Sequence, residues 1–218
     1  MNQKTIEPRS MHDPQKEEQN GEEEEDPPTK PTISSKRKRR MQYRIQGGLS
    51  TYRKEMSQFL VTTRFSQETW NQNIEYKTKH GLQQSTCIYG SPQSTSREIP
   101  DNAVVFVLEM NNDTNQIMGI GMVRNHAYIK QHRIYSNENY NRYSYLGKYR
   151  IDRSTITNEE ETIMKVFDIL CFTGSRHMKR LQGMKMFPID MLYNTSKVLD
   201  LHKYIREMFK RRLQETKP

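Results

Sequence analysis

Cysteine is nearly absent from this chain: Cys87 and Cys171 are the only two in 218 residues. That is too few for a disulfide framework or a four-cysteine zinc site. No stretch approaches 18 consecutive apolar residues, which excludes a transmembrane helix. The opening MNQKTIEPRS has no apolar segment of the kind a cleaved secretory signal carries, so the expected location is intracellular. The six histidines (His12, His80, His126, His132, His177, His202) show no H-x-H or H-x-x-x-H spacing, so no metal site is expected. Gly119-Ile120-Gly121 lacks the third glycine of a dinucleotide fingerprint and lies inside an apolar run, so no nucleotide cofactor is expected. Cys87 and Cys171 sit in apolar surroundings and read as buried thiols rather than nucleophiles. No motif announces an enzyme; a site assembled from residues distant in sequence is the remaining route to one.

Hydrophobic residues make up 33% of the chain and the mean hydropathy is −1.02, below the usual apolar share of a globular domain. Part of the chain therefore stands outside a core. Residues 1–35 hold four basic and nine acidic residues, including the run Glu22–Asp26, and five prolines. Lys36-Arg37-Lys38-Arg39-Arg40 then reverses the sign. Residues 1–40 read as a disordered, acidic-then-basic tail and 41–56 as a linker. The basic run is either a solvated segment answering the acidic one, or a nuclear-import signal or nucleic-acid arm. Residues 41–218 by themselves still carry the full net charge of +9.

Ordered structure is expected from Phe59-Leu60-Val61-Thr62-Thr63, a short strand. A helix over about 66–80 follows, with Ser66 as N-cap and Gly81 as stop, and then a strand at Cys87-Ile88-Tyr89. Residues 91–103 read as a loop. Val104–Met110 and Ile117–Val123 are apolar runs separated by Asn111-Asn112-Asp113-Thr114-Asn115, a hairpin whose strands are covered on both faces. Gly119 and Gly121 fall on one face of their strand and leave room for a packed helix or a ligand. Another strand is expected in 143–151. Asn158 with Glu161 marks a helix start, and Ile163, Val166, Phe167, Leu170 and Cys171 share its apolar face. A last helix is expected over about 195–213. The expected class is α+β: a compact mixed sheet or partly closed barrel with flanking helices and a C-terminal helix.

Three basic stretches are candidates for nucleic acid, where cations meet phosphates and aromatics stack on unpaired bases. In 140–150 the tyrosines accompany Arg142, Lys148 and Arg150. In 174–185, Ser175, Arg176, Lys179 and Arg180 present a hydroxyl and cations suited to phosphate. The C-terminal helix offers Lys203, Arg206, Lys210 and Arg211. For each, the plain alternative is a solvated surface.

The strand Phe59–Thr63, the helix bearing Trp70, Asn73, Ile74 and Tyr76, the hairpin Val105–Asn111/Ile117–Val123 with its glycines, and Tyr149-Arg150-Ile151-Asp152 together resemble the PUA-like superfamily, in particular its EVE and YTH branches. The resemblance covers about 57–172, leaving 173–218 as a basic loop and helical extension. It implies a small module that holds nucleic acid, often a modified base, in a pocket between the first helix and neighbouring strands. Trp70, Tyr76 and Tyr89 would then supply aromatic walls, and Asn73 or Asn111 would hydrogen-bond a base edge. The plain alternative is that Trp70 and Ile74 pack the helix on the sheet. Asn, Ile, Lys and Tyr are frequent, as AT-rich coding produces and as large DNA viruses show.

These readings lead to a non-enzymatic module binding RNA or single strands in preference to duplex DNA. No membrane partner is expected, and a protein partner would meet the tail or the C-terminal helix. The competing class is a structural or scaffolding protein, of a virion or its packaged genome, with a nonspecific basic surface.

Overall fold

A computed structural model of the chain describes residues 33–56 and 58–215. The acidic part of the expected tail lies outside them. The chain divides into two units, up to Gln42 and from Tyr43 onward. The described residues of the first unit are 33–42, the opening of helix α1 (Ile33–Glu55). The sequence reading placed Lys36–Arg40 in an unstructured tail and 41–56 in a linker; both lie in this helix, save Met56 just beyond its end. Lys, Arg, Gln and Met are good helix formers, whereas Gly47-Gly48 reads locally as a break. Gly48 lets Tyr193 close on the helix: a Cβ there would lie 2.1 Å from the Tyr193 hydroxyl, and Tyr52 packs on the same Tyr193 ring at 5.6 Å.

In the second unit, strand β1 (Gln58–Phe65) leads into α2 (Gln67–Lys79). Ser66 caps α2 in a reciprocal box with Thr69, as its position implied. Then come β2 (Cys87–Ser91), the hairpin β3 (Val104–Asn111) and β4 (Gln116–Arg124), a short β5 (Tyr128–Ile129), β6 (Tyr143–Gly147) and β7 (Tyr149–Asp152). Helix α3 (Asn158–Phe172), β8 (Lys185–Met186), α4 (Ile189–Ser196) and α5 (Leu201–Glu215) complete the chain. The helix expected over about 195–213 is α5, which starts six residues later at Leu201; α4 before it was not anticipated. The single strand expected in 143–151 is two, broken at Lys148 and divided between sheets. The cap of α3 is Thr157 with Glu160 at its third position, one residue earlier than the sequence suggested.

The architecture is α+β with two sheets, and among the described residues the strands do not close into a barrel. One sheet has the order β7-β4-β3-β1-β8, the other β2-β6-β5. In the first, β1 runs parallel to β3 and the other pairings are antiparallel. Side chains alternate across a strand, so β3 serves two cores. Phe106, Leu108 and Met110 face α3 and α5, where they meet Phe167, Ile205, Met208 and Phe209. Val105 and Val107 face the second sheet, with Tyr89, Tyr145 and Val123. Burial of each such side chain contributes about 1.5–3 kcal/mol. Val105, Val107 and Ile120 are fully buried as expected, and Met122 is half-buried.

Glu160 fastens α3 to α5, two helices of the first core. Its buried carboxylate accepts from the Thr157 amide, from Arg211 Nη2 at 2.9 Å and from Arg212 Nη2 at 2.7 Å. The bonds from Arg212 hold its carboxyl below the ordinary Glu value, burial acting against them. A depressed carboxyl contributes stability that is present above the unfolded value, about 4.3, and lost as pH falls through the lower folded one. Glu160→Gln is expected to lower stability at pH 7 by about 1–3 kcal/mol, and urea melts at pH 7 and pH 3 would show the difference from the parent shrinking in acid.

Two glycines differ in what a side chain would meet. A Cβ on Gly121 of β4 would fall 1.9 Å from the Tyr89 hydroxyl, so Gly121→Ala is expected to destabilise by about 1–3 kcal/mol through overpacking. Gly47 of α1 has nothing within 4 Å of the same atom, and Gly47→Ala is expected to stabilise by roughly 0.5–1 kcal/mol through helix propensity. Paired urea melts check both signs.

Candidate nucleic-acid interface

Glu109 sits in the middle of β3 on the face turned to the second sheet, where a lone charge would be expensive to bury. Arg150 of β7 reaches across β4 to it: Nε lies 2.9 Å from Oε1 and Nη2 lies 2.7 Å from Oε2, a two-point bond. The side chains of this pair are 6% and 3% exposed. Arg150 Nη1 also donates to Asp152 at 2.6 Å, and the Tyr89 hydroxyl donates to Glu109 at 2.7 Å. Gly119 makes the approach possible, since a Cβ there would lie 2.8 Å from Glu109 Oε2 and 2.9 Å from Arg150 Nη2. The β3–β4 register slips by one residue at this point, a bulge between Leu108 and Met110. Burial acts against the charge on Arg150, but Glu109 and Asp152 outweigh it and raise its pKa. Burial likewise would raise the Asp152 carboxyl, and the bonds from Arg150 and Ser154 hold it below the usual value.

A cavity of about 540 Å³ opens between this cluster and α2, lined by Trp70, Asn73, Lys77, Glu109, Arg150 and Asp152 among others. It gathers three of the residues singled out by sequence, yet each already has a partner. The Arg150 guanidinium lies over the Trp70 ring, 5.5 Å from its centroid, and Phe65 meets that ring edge-on at 5.0 Å. The Asn73 amide donates to the Ile88 carbonyl at 2.8 Å and tethers α2 to β2. Formal charges in the cavity balance: Lys77 and Arg150 against Glu109 and Asp152. Ile74, expected to pack the helix on the sheet, is 45% exposed.

Other expected site residues are elsewhere. Tyr89 is 1% exposed and belongs to the core, so it offers no face to a base. Asn111 is buried and its Oδ1 accepts from the amides of Asp113 and Thr114, closing the hairpin turn. Tyr76 lies on another side of α2, against His132 and His80. Arg142, Lys148 and Ser175 are exposed and separate. Arg176 is occupied by Asp190, with bonds of 2.6 and 3.0 Å. Both thiols are buried, which pushes each up to about 12 and makes them poor nucleophiles.

Lys179 and Arg180 instead line a second cavity, of about 320 Å³, where the end of β1 and the start of α2 meet the loop before β8. Among the described residues, three cations line it, Arg64, Lys179 and Arg180, and no Asp or Glu does. Asp113, whose carboxylate accepts from the Gln67 amide at 2.6 Å, is not among its lining residues. Arg64 donates to the Met178 carbonyl at 2.5 Å, the Gly183 carbonyl at 3.0 Å and the Thr62 hydroxyl at 2.7 Å. Those partners are neutral, and burial lowers the Arg64 pKa only to about 10, so it remains charged at neutral pH. Tyr140, half-buried, supplies an aromatic wall, with Tyr135 against it at 6.2 Å. Gly90 lets these rings close in, because a Cβ there would lie 2.4 Å from the Tyr140 carbonyl. Arg64 escaped the sequence reading although a cation inside the apolar run Phe59–Phe65 was its signal. Tyr140 stood in a favoured stretch but was not distinguished from its neighbours.

Among the described residues, no group of three or more His, Cys, Asp or Glu side chains is placed to hold a metal ion. No helix among them is long and apolar enough to cross a membrane.

Arg150→Met is expected to cost about 3–5 kcal/mol, because Glu109 is left buried without a counter-charge. Adding Glu109→Gln to it is expected to recover part of the loss; a double-mutant cycle by chemical denaturation gives the coupling.

No protein-family model matches this chain, and neither a curated protein nor a solved structure does.

Proposed function

We propose that this chain is a non-enzymatic nucleic-acid-binding module for RNA or single strands, built on a PUA-like fold, and that the cleft bearing Arg64, Lys179 and Arg180 is its ligand site. The observation that carries the reading is the lining: three cations, no carboxylate among the described residues, and an aromatic wall in one concavity of about 320 Å³. Phosphates supply the missing negative charge, and their neutralisation releases counterions. Tyr140 gives an unpaired base a face to stack on. The start of α2 adds the positive end of a helix to the rim, with Ser66 and Thr69 lining the cleft. The cavity beside Trp70 fits this role less well, since its charges are balanced internally and Arg150 already covers the indole. Support for the PUA-like assignment is the element order: a strand, a capped helix, a strand, a glycine-bearing hairpin and a late Tyr-Arg-Ile-Asp strand.

The competing reading, a scaffold that meets polyanions nonspecifically, draws on Lys36–Arg40, which are exposed on α1. Base preference separates the two.

The test is fluorescence anisotropy with labelled 15-nucleotide single-stranded RNA, single-stranded DNA and duplex DNA over a salt series. Lys179→Ala with Arg180→Ala is expected to weaken single-strand binding and to flatten the log–log salt slope by roughly 0.7 for each phosphate no longer neutralised, about 1.4 in all. Arg176→Ala, whose partner is Asp190, is expected to leave the slope unchanged. Unaltered affinity and slope in the double variant would overturn the assignment of the cleft.

A further inference from the structure

On the flank of α2 away from Trp70, five rings from two distant stretches of chain form a continuous series. His126 meets Tyr128 at 5.8 Å between ring centroids, Tyr128 meets His132 at 5.6 Å, and His132 meets Tyr76 at 6.1 Å. Tyr76 in turn stacks on His80 at 3.9 Å, with 21° between the planes. Hydrogen bonds fix the series: the Tyr76 hydroxyl lies 2.8 Å from His132 Nδ1, and His80 Nδ1 donates to the Tyr76 carbonyl at 2.8 Å. A carbonyl only accepts, so His80 carries its proton on Nδ1. Cores do not need such an array. His80 and His126 are exposed, and Tyr76, Tyr128 and His132 are half-buried. The loop that bears His132 also carries Lys130 and Arg133, which with Arg142 line an adjoining cavity of about 340 Å³. Lys130 is held at φ +53°, a left-handed conformation uncommon for a side chain of its kind, with its amide on the Arg142 carbonyl at 3.0 Å.

We propose that this surface, the rings Tyr76, His80, His126, Tyr128 and His132 with the cations Lys130, Arg133 and Arg142, is a second contact track for single-stranded nucleic acid whose grip tightens as its histidines take up protons. The inference rests on the nucleic-acid reading above and extends it to a region separate from the cleft. Exposed planar rings beside phosphate-neutralising cations are the recurring apparatus of sequence-tolerant single-strand binding. Three of the five rings are imidazoles, the side chain whose ordinary titration lies between pH 5 and 8. The charged groups nearest them along the chain are Glu75 and Lys79 on α2, Lys130 and Arg133 in the loop, and Glu138, which faces Arg133 at 4.0 Å; Lys77 of α2 lines the cavity beside Trp70 instead. Burial, and then the neighbouring His80, lowers the His132 pKa. Unliganded, His132 thus resists charging. A phosphate chain laid along the track offsets the repulsion between the imidazolium groups, so binding takes up protons, and by linkage acid strengthens binding.

The experiment uses the full chain and a 15-nucleotide fluorescein-labelled oligouridylate, with anisotropy measured at pH 8 and pH 6 at one fixed ionic strength. The wild type is expected to bind roughly three- to tenfold more tightly at pH 6, one linked proton giving at most about tenfold per pH unit. His80→Gln with His132→Gln is expected to remove most of that ratio. The exposed His126→Gln is expected to reduce it, and keeps the test decisive should the double variant fail to fold. Tyr128→Ala is expected to weaken binding at both pH values. His177→Gln, in the loop beside the cleft, is expected to leave the ratio intact. Lys179→Ala with Arg180→Ala is expected to weaken binding at both pH values while the ratio persists. Measurable binding with no pH dependence, or a ratio that survives in the histidine variants, overturns the track alone. Absence of binding by the wild type at either pH overturns the nucleic-acid reading and the track with it.

Discussion

A carboxylate in the middle of the most apolar strand of the chain sets the terms for much of the structure. Glu109 belongs to β3, whose two faces are both covered, and it is relieved by Arg150 from two strands away and by the Tyr89 hydroxyl from the other sheet. The pair is buried, so neither partner is replaceable by water, and any shift of β7 or β2 would strand a charge. Gly119 and Gly121 follow from it. One clears the path of the ion pair and the other clears the Tyr89 hydroxyl. Trp70 follows too, because the guanidinium that answers Glu109 lies over the indole and docks α2 on the sheet. The residues that looked most like a base-binding pocket are thus bound to one another.

Charge that is internally spent leaves no attraction for an anion, and charge left unbalanced supplies it. The cavity beside Trp70 and the cleft beside Arg64 are of the same order in size but opposite in this respect. In the first, four charged side chains cancel. In the second, the neutral carbonyl and hydroxyl partners of Arg64 orient its guanidinium without neutralising it, and Lys179 and Arg180 add to the same field. Arg64 also ties β1 to the loop before β8, so the element that carries the cleft's lysine and arginine is positioned by the cleft's own third cation.

The helices show a parallel economy. Glu160 closes the first turn of α3, through the Thr157 amide, and receives two arginines from α5. One buried carboxylate therefore serves both as a cap and as the link between helices on the same face of the sheet. Burial of Phe106, Phe167 and Phe209 drives the packing; Glu160 ties the end of α5 to the first turn of α3.

Local chemistry decided a good deal. Ser66 and Thr69 start α2, the Asn-rich turn after Met110 makes the hairpin, and the near-continuous apolar run Val104–Met110 announces a strand buried on both sides. Each of these is written in a few consecutive residues, because caps, turns and apolar runs depend on the backbone nearby. The α+β class followed from their order, and so did the basic character of the loop at 174–185, two of whose cations, Lys179 and Arg180, reach the cleft. What the residues along the chain left open was partnership. Tyr89, Trp70 and Arg150 have the composition of a binding site, and only the folded arrangement shows them occupied by Glu109 and by each other. Arg176 looks like Lys179 until Asp190, fourteen residues on, is found against it. What Gly48 is for shows only in the fold, where a Cβ there would lie 2.1 Å from the Tyr193 hydroxyl. Tertiary structure decided these points because an ion pair, a stacked ring or a close backbone approach is set by residues distant in sequence, and a side chain's availability to a ligand depends on which of those neighbours has already claimed it.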